Sequence, residues 1–233
     1  MIICGIDYSI SSPAVVKAVL DDNYEINSID YLSFSSVKKQ CNSDKKLVYN
    51  NRKDFRHDMQ RFQFLRDEVE KFIYSDNIIP SYIAMEGYAM GGMGKVFNIA
   101  EATALTKCMI FDRGTPLRIY TPSAIKKFAT LSGDAGKVSM FKAFKEDESP
   151  FINLNHLEDM KNPQEDIIDA YWIMKLLLTE LKLRSGMCEL KSLNHKQIEV
   201  FNAVSKSNPQ NILAREFIQK MEEWLLSLTF HYN

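Results

Sequence analysis

The chain has 233 residues, 45% hydrophobic and 25% charged, with a formal net charge of −1. That is an ordinary globular composition, long enough to bury a core without disulfide or metal staples as one large domain or one domain with an extension. The net charge by itself argues for no polyanionic partner, and no apolar run approaches the length of about 18 residues that a membrane span requires.

IICGID (2–7) and AVVKAVL (14–20) read as strands joined by the turn SISSP, and 26–34 alternates as a third strand. The apolar start meets an acid at Asp7 and lacks the cationic head and long apolar stretch of a secretory signal. Three strands with short links predict an antiparallel meander. Residues 35–52 are polar and lysine-rich and read as a loop. From Lys53 to Ser75, Phe55, Met59, Phe62, Leu65, Val69, Phe72 and Ile73 recur at steps of three and four, the mark of an amphipathic helix.

YIAME (82–86) is a strand that ends on Glu86 and runs into the glycine-rich GYAMGGMG. A helix over 96–112 follows, stopped at Gly114, and then the strand LRIYTP. Ser123 is the expected cap of a short helix, AIKKFATL, and 137–145 forms another. Residues 146–164 read as a polar, proline-containing insertion, 165–183 as a strong helix, and the tail beyond Gly186 as a polar middle with a helical end. The division expected is a core over 1–185 and an extension over 186–233. Strands and helices in this order predict a mixed α/β sheet of five strands with helices on its faces, YIAME and LRIY being parallel neighbours.

The four cysteines, Cys4, Cys41, Cys108 and Cys188, form no CxxC pair, which argues for a reduced, intracellular protein and against a zinc site. Charge is unevenly spread. Arg118, Lys126, Lys127, Lys137, Lys142 and Lys145 face only one acid, Asp134, over 118–145, and 38–71 carries ten bases against six acids. Such segments present either a basic face or a merely solvated one.

The carboxylates form a constellation. Alternation puts Ile3, Gly5 and Asp7 on one face of the first strand, and Tyr82, Ala84 and Glu86 on the matching face of the other. Asp166 and Asp169 open a stripe on the 165–183 helix that continues through Ala170, Ile173, Leu177 and Leu181, all apolar, so the two acids head its buried side. Taken singly, Asp7 reads as a turn residue and Asp166 as a first-turn acid. Together, four carboxylates at one edge of a core repel one another at a cost of several kcal/mol per uncompensated ion. Hard divalent ions such as Mg2+ or Mn2+ resolve that repulsion. Two of them, about 4 Å apart, suit phosphodiester cleavage.

GID near the start, IAMEGY, TPSAIKKFATLSGDAGK and DIIDAYWI together resemble the RuvC-type Holliday junction resolvases of the RNase H-like superfamily, most closely divergent phage or viral members. The resemblance spans 1–183. It implies an RNase H-like nuclease domain, and a homodimer that nicks four-way DNA junctions symmetrically with two Mg2+ (or Mn2+) ions per site. It implies Asp7, Glu86, Asp166 and Asp169 as catalytic metal ligands, with Lys126 and Lys137 as DNA contacts that Lys127 shares. Tyr88 reads either as an aromatic that stacks on bases or as a buried strand-end tyrosine. By the same analogy the 53–75 helix or the helix after the glycine loop builds the dimer interface. The protein is expected in the cytoplasm, of the host if it is viral, and without a membrane. The segments 35–56 and 146–164 look expanded relative to the family, and the tail has no counterpart. Other branched DNA or RNA therefore stays open as substrate, as does a non-catalytic nucleic-acid-binding module. An actin-like ATPase or kinase needs a second phosphate loop and an adenosine motif that this chain does not show.

Overall fold

The computed structural model describes residues 1–9, 11–41, 46–88, 96–147, 152–157 and 161–206. The glycine loop after Tyr88, residues 148–151 and 158–160 of the 146–164 segment and the helical end of the tail lie outside these residues.

One sheet carries the fold. Strands β1 (Ile2–Asp7), β2 (Ala14–Leu20) and β3 (Ile26–Ser35) form the expected antiparallel meander. A strand the sequence did not suggest, β4 (Leu47–Tyr49), then pairs parallel with β3 inside the expected 35–52 loop. Three residues are too few to show a period; the open edge of β3 supplies the pairing. β5 (Tyr82–Glu86) runs parallel to β1, and β6 (Leu117–Tyr120) parallel to β5. Among the described residues the order is β4-β3-β2-β1-β5-β6, six strands rather than five, in the mixed class expected. The register pairs Ile6 with Met85, so Asp7 and Glu86, one residue on, come level at the carboxyl ends of adjacent strands.

Each face of the sheet has its own core. Cys4, Ile6, Val15, Ile83 and Met85 pack under α1 (Asp58–Ile73) and α2 (Val96–Asp112). α1 starts later than its apolar period suggests, because a 3-10 turn at Arg52–Asp54 and extended backbone at Phe55 and His57 precede it. Phe62, Leu65, Val69 and Ile73 of its stripe are buried, whereas Met59 is exposed.

On the other face, Ile3, Ala84, Val16 and Ala18 meet α5 (Gln164–Arg184). Its expected stripe, Ala170, Ile173, Leu177 and Leu181, is buried, but so is most of its circumference. The outer side of α5 is covered by α3 (Pro122–Thr130) and α4 (Lys137–Glu146). α6 (His195–Lys206) packs on α3, with Phe128 in edge contact with both Trp172 and Phe201. Ile152, Leu154 and Leu157 are also buried here, so part of the segment read as a polar insertion is core. Among the described residues, no helix is long and apolar enough to cross a membrane.

Two corrections concern single residues. Thr121, not Ser123, caps α3: its hydroxyl accepts from the Ala124 amide at 3.2 Å, and Pro122 takes the first turn, where no backbone donor is needed. Thr121→Ala is therefore expected to cost about 1 kcal/mol, and Ser123→Ala no more than about 0.5 kcal/mol, in chemical denaturation. Arg118, which heads the basic segment in the sequence, is buried. It pairs with the buried Glu180 at 3.0 Å, alongside Arg184 at 2.6 Å and the Tyr120 hydroxyl at 2.5 Å. These bonds tie β6 to the C-terminal half of α5.

Candidate active site

The carboxyl ends of β1 and β5 and the first turns of α5 converge. The close approach is made at Gly5: a Cβ there would lie 2.4 Å from the Ala170 carbonyl oxygen and 2.5 Å from the Met174 amide nitrogen. Without that side chain, the helix backbone rests on β1. Ala170 follows Asp169 directly, so the contact brings the acids of α5 over the end of the strand that carries Asp7.

The electrostatics show how closely the four acids are gathered. Asp7 is buried and its carboxyl is held well above its ordinary range, first by burial and then by the charges of Glu86, Asp169 and Asp166. Asp7 and Glu86 share a hydrogen bond that raises Asp7 and lowers Glu86, which puts the proton on Asp7. Burial also raises Glu86, with Lys126 acting against it. Asp169 is pushed up to about 7, by burial and then by Glu86 and Asp166. Asp166 is pushed up to about 6 by burial, partly offset by a hydrogen bond from Ser12 and by Lys137. Both acids of α5 sit in its first turns, where the helix dipole favours negative charge.

Among the described residues, no group of three or more His, Cys, Asp or Glu side chains is drawn tightly enough to clasp an ion. The four acids share one field without forming one ligand shell: Asp7 is turned to Glu86, and Asp166 to Ser12. The donor set nevertheless fits a hard divalent cation. It is all carboxylate oxygen, raised first by burial and, at Asp7 and Asp169, also by the neighbouring carboxylates, the two costs that a bound cation offsets.

Lys126 faces Glu86 and Asp169. Lys137 is ion-paired with Glu165 and reaches the fields of Asp166 and Asp169. Between them opens a cleft of about 180 Å3, lined also by Met140, Phe141, Glu165 and Asp169. Lys127 points elsewhere, to Glu199 of α6 at 3.1 Å, because adjacent residues on a helix diverge by about 100°. Tyr88 is exposed, not buried: Lys107 sits over its ring at 4.4 Å, and its hydroxyl reaches the Ala100 carbonyl at 3.5 Å.

Three neighbours escaped the sequence reading. Ser12, buried in the β1–β2 turn, donates to Asp166 and accepts from the Asn162 side-chain amide at 3.0 Å. Glu165 lies beside the cleft as the partner of Lys137. Serines and an asparagine in turns carry the same letters whether or not a carboxylate stands opposite, so no sequence signal marked them.

No family model matches the chain, and no curated protein matches it in sequence. Solved structures do match in shape. Thermus thermophilus RuvC shares 15% identity, covering 80% of this chain and 98% of that one, at a TM-score of 0.51. T. thermophilus RuvC in complex with a Holliday junction substrate gives 16% identity, 80% and 97% coverage and 0.50. The yeast mitochondrial Holliday junction resolvase Ydc2 gives 15% identity, 74% and 75% coverage and 0.50. At these identities the likeness establishes a shared fold: the chain has the RNase H-like architecture of these resolvases.

Proposed function

We propose that this protein is a divalent-metal-dependent endodeoxyribonuclease that nicks four-way DNA junctions, acting as a homodimer. The observation that carries the proposal is the gathering of Asp7, Glu86, Asp166 and Asp169 from three distant parts of the chain: burial raises all four, and Asp7 lies within the charge fields of the other three. The fold shared with junction resolvases, one of them in complex with its substrate, supports the choice of DNA.

In this reading the four carboxylates hold two Mg2+ or Mn2+ ions, which when bound supply Lewis-acid activation of water and charge neutralisation at the scissile phosphate. To hold such ions Asp7 would have to be a carboxylate, without the proton it shares with Glu86 in their hydrogen bond. Ser12 and Asn162 orient Asp166. Lys126 stands beside Glu86 and Asp169 to receive a phosphate oxygen, and Lys137 reaches the same phosphate group by leaving Glu165. Lys127 contributes from the periphery, and the exposed ring of Tyr88 offers a stacking surface at the mouth of the site. The apolar outer side of α2, with Phe97 76% exposed and Phe111 56% exposed, is the surface on which a second copy would seat.

The test is a labelled four-way junction incubated with the protein in Mg2+ or in EDTA, with sedimentation of the same sample. Paired nicks that need Mg2+, lost in Glu86→Gln with junction binding kept, are the expected result. Equal cutting of flaps and linear duplex would reduce the proposal to a broader structure-selective nuclease. ATP hydrolysis without nicking, or binding without any cleavage, would overturn it.

A further inference from the structure

The sheet edge that carries the acids also carries a second basic region, far from Lys126 and Lys137 in the chain. β3 and β4 are parallel to each other, and both end at the edge where β1 and β5 end, because Asp7 pairs with Ala14, Ala14 with Ser33, and Ser33 with Leu47. The turns that leave these two strands therefore lie on the same edge as Asp7 and Glu86. The first is a 3-10 turn at Lys38–Gln40 and the second a 3-10 turn at Arg52–Asp54. Lys38, Lys39, Arg52, Lys53 and Arg56 in and around them are all exposed.

Both turns are anchored. The Ser35 hydroxyl donates to the Gln40 side chain at 2.6 Å, and the Ser35 carbonyl accepts from the Asn50 amide at 2.9 Å. Asn50, 1% exposed, also donates through its side chain to the Ser11 carbonyl at 2.9 Å and accepts from Arg61 of α1 at 2.9 Å. Ser11 neighbours the Ser12 that holds Asp166. Hydrogen bonds, joined by the short chain links Ser11–Ser12 and Asn50–Arg52, thus connect the basic turns to the acid cluster.

The charges in this region are not used up internally. Arg52 is paired with Asp58, and Asp54 is an exposed acid in the second turn. Lys38, Lys39, Lys53 and Arg56 have no ion-pair partner among the described residues. Nor does folding require bases here, since all four side chains leave the core.

We infer that Lys38, Lys39, Lys53 and Arg56 form a second phosphate-binding ridge, which holds the DNA backbone on the β4 side of the acids while Lys126 and Lys137 hold it on the β6 side. The sheet order sets the span. With strands about 4.8 Å apart, β4 stands about 14 Å from β1, or about four base-pair steps at 3.4 Å each. The ridge thus engages a DNA arm several nucleotides from the cut, through backbone contacts that fix register and carry no sequence preference. This inference rests on the nuclease reading for its choice of DNA, and extends that reading to surface that none of the proposed site residues occupies.

The test measures binding of a fluorescent four-way junction by anisotropy, in EDTA so that nothing is cut, across a KCl series. The proteins are the wild type, Lys38→Gln with Lys39→Gln, Lys53→Gln with Arg56→Gln, and all four changes together. Every phosphate that a base no longer neutralises flattens the slope of log affinity against log salt by about 0.9. The fourfold variant is expected to flatten it by about 2 or more and to bind about tenfold or more weakly at low salt, each pair giving about half of that. The melting temperature, unchanged from wild type, shows that the fold is kept; the pair variants decide the matter if the fourfold variant is unstable. An unchanged slope overturns the ridge. Nicking by the wild type in Mg2+ is scored separately: nicking with an unchanged slope sinks the ridge alone, and a flattened slope without nicking sinks the nuclease reading alone.

Discussion

Asp7→Asn is expected to lower nicking of a four-way junction in Mg2+ by roughly 100- to 1,000-fold or more, the scale on which one electrostatic element of a catalytic site counts. Junction binding should persist. Asp7 is the acid most raised by its neighbours, and asparagine keeps its shape without the charge that a cation needs. A second readout uses stability. Asp166 at about 6 and Asp169 at about 7 titrate well above an unfolded aspartate, at about 3.9. The folded state therefore binds more protons than the unfolded one across that interval. The stability this contributes is complete below about pH 4 and is lost as the pH rises through about 6 and 7. Without divalent ions, the wild type should melt roughly 8–16 °C lower at about pH 8 than at about pH 5, equivalent to roughly 4 kcal/mol. Mg2+ should recover most of that loss at the higher pH. Asp7→Asn removes a buried carboxyl whose own titration is held well above its ordinary range, so it should flatten the dependence and melt higher than wild type at about pH 8. Full nicking by this variant, or a wild-type melting temperature that climbs with pH in EDTA, would contradict the charge cluster as the working site.

Gly5→Ala is expected to cost at least about 3 kcal/mol, the upper range of overpacking, and to lower the melting temperature by roughly 6–12 °C. The new methyl would meet backbone of α5 at 2.4 and 2.5 Å and the Met174 Cβ at 2.8 Å. None of these atoms belongs to the flexible end of a side chain, so relief requires the helix to retreat from the sheet. That retreat carries Asp166 and Asp169 away from Asp7, and metal-dependent cleavage should fall together with stability. Gly136→Ala is the control: nothing lies within 4 Å of a Cβ there, and the change should cost less than about 1 kcal/mol. A Gly5→Ala protein that melts like wild type would show that β1 and α5 do not meet as described.

The order of elements was legible because each long segment carries its own period. The α5 stripe, the apolar face of α1 and the runs of β1, β2 and β5 are local patterns, set by 3.6- and 2-residue repeats that need no partner. The four acids were legible for the same reason: each ends or opens an apolar pattern, and a charge at such a position is visible in the letters alone. β4 was not legible, since three residues show no repeat and their pairing belongs to the edge of β3. Nor was the fate of the bases. Arg118 is buried by Glu180, Lys127 is drawn to Glu199, Lys137 to Glu165, and Lys38 and Lys53 reach the acid edge only because β3 and β4 end there. The sequence by itself determined which segments form strands and helices, and that carboxylates stand at their ends. Only the tertiary structure decided which charges meet, because a lysine or a serine reads the same whether a carboxylate, a carbonyl or water stands opposite, and that partner comes from another part of the chain.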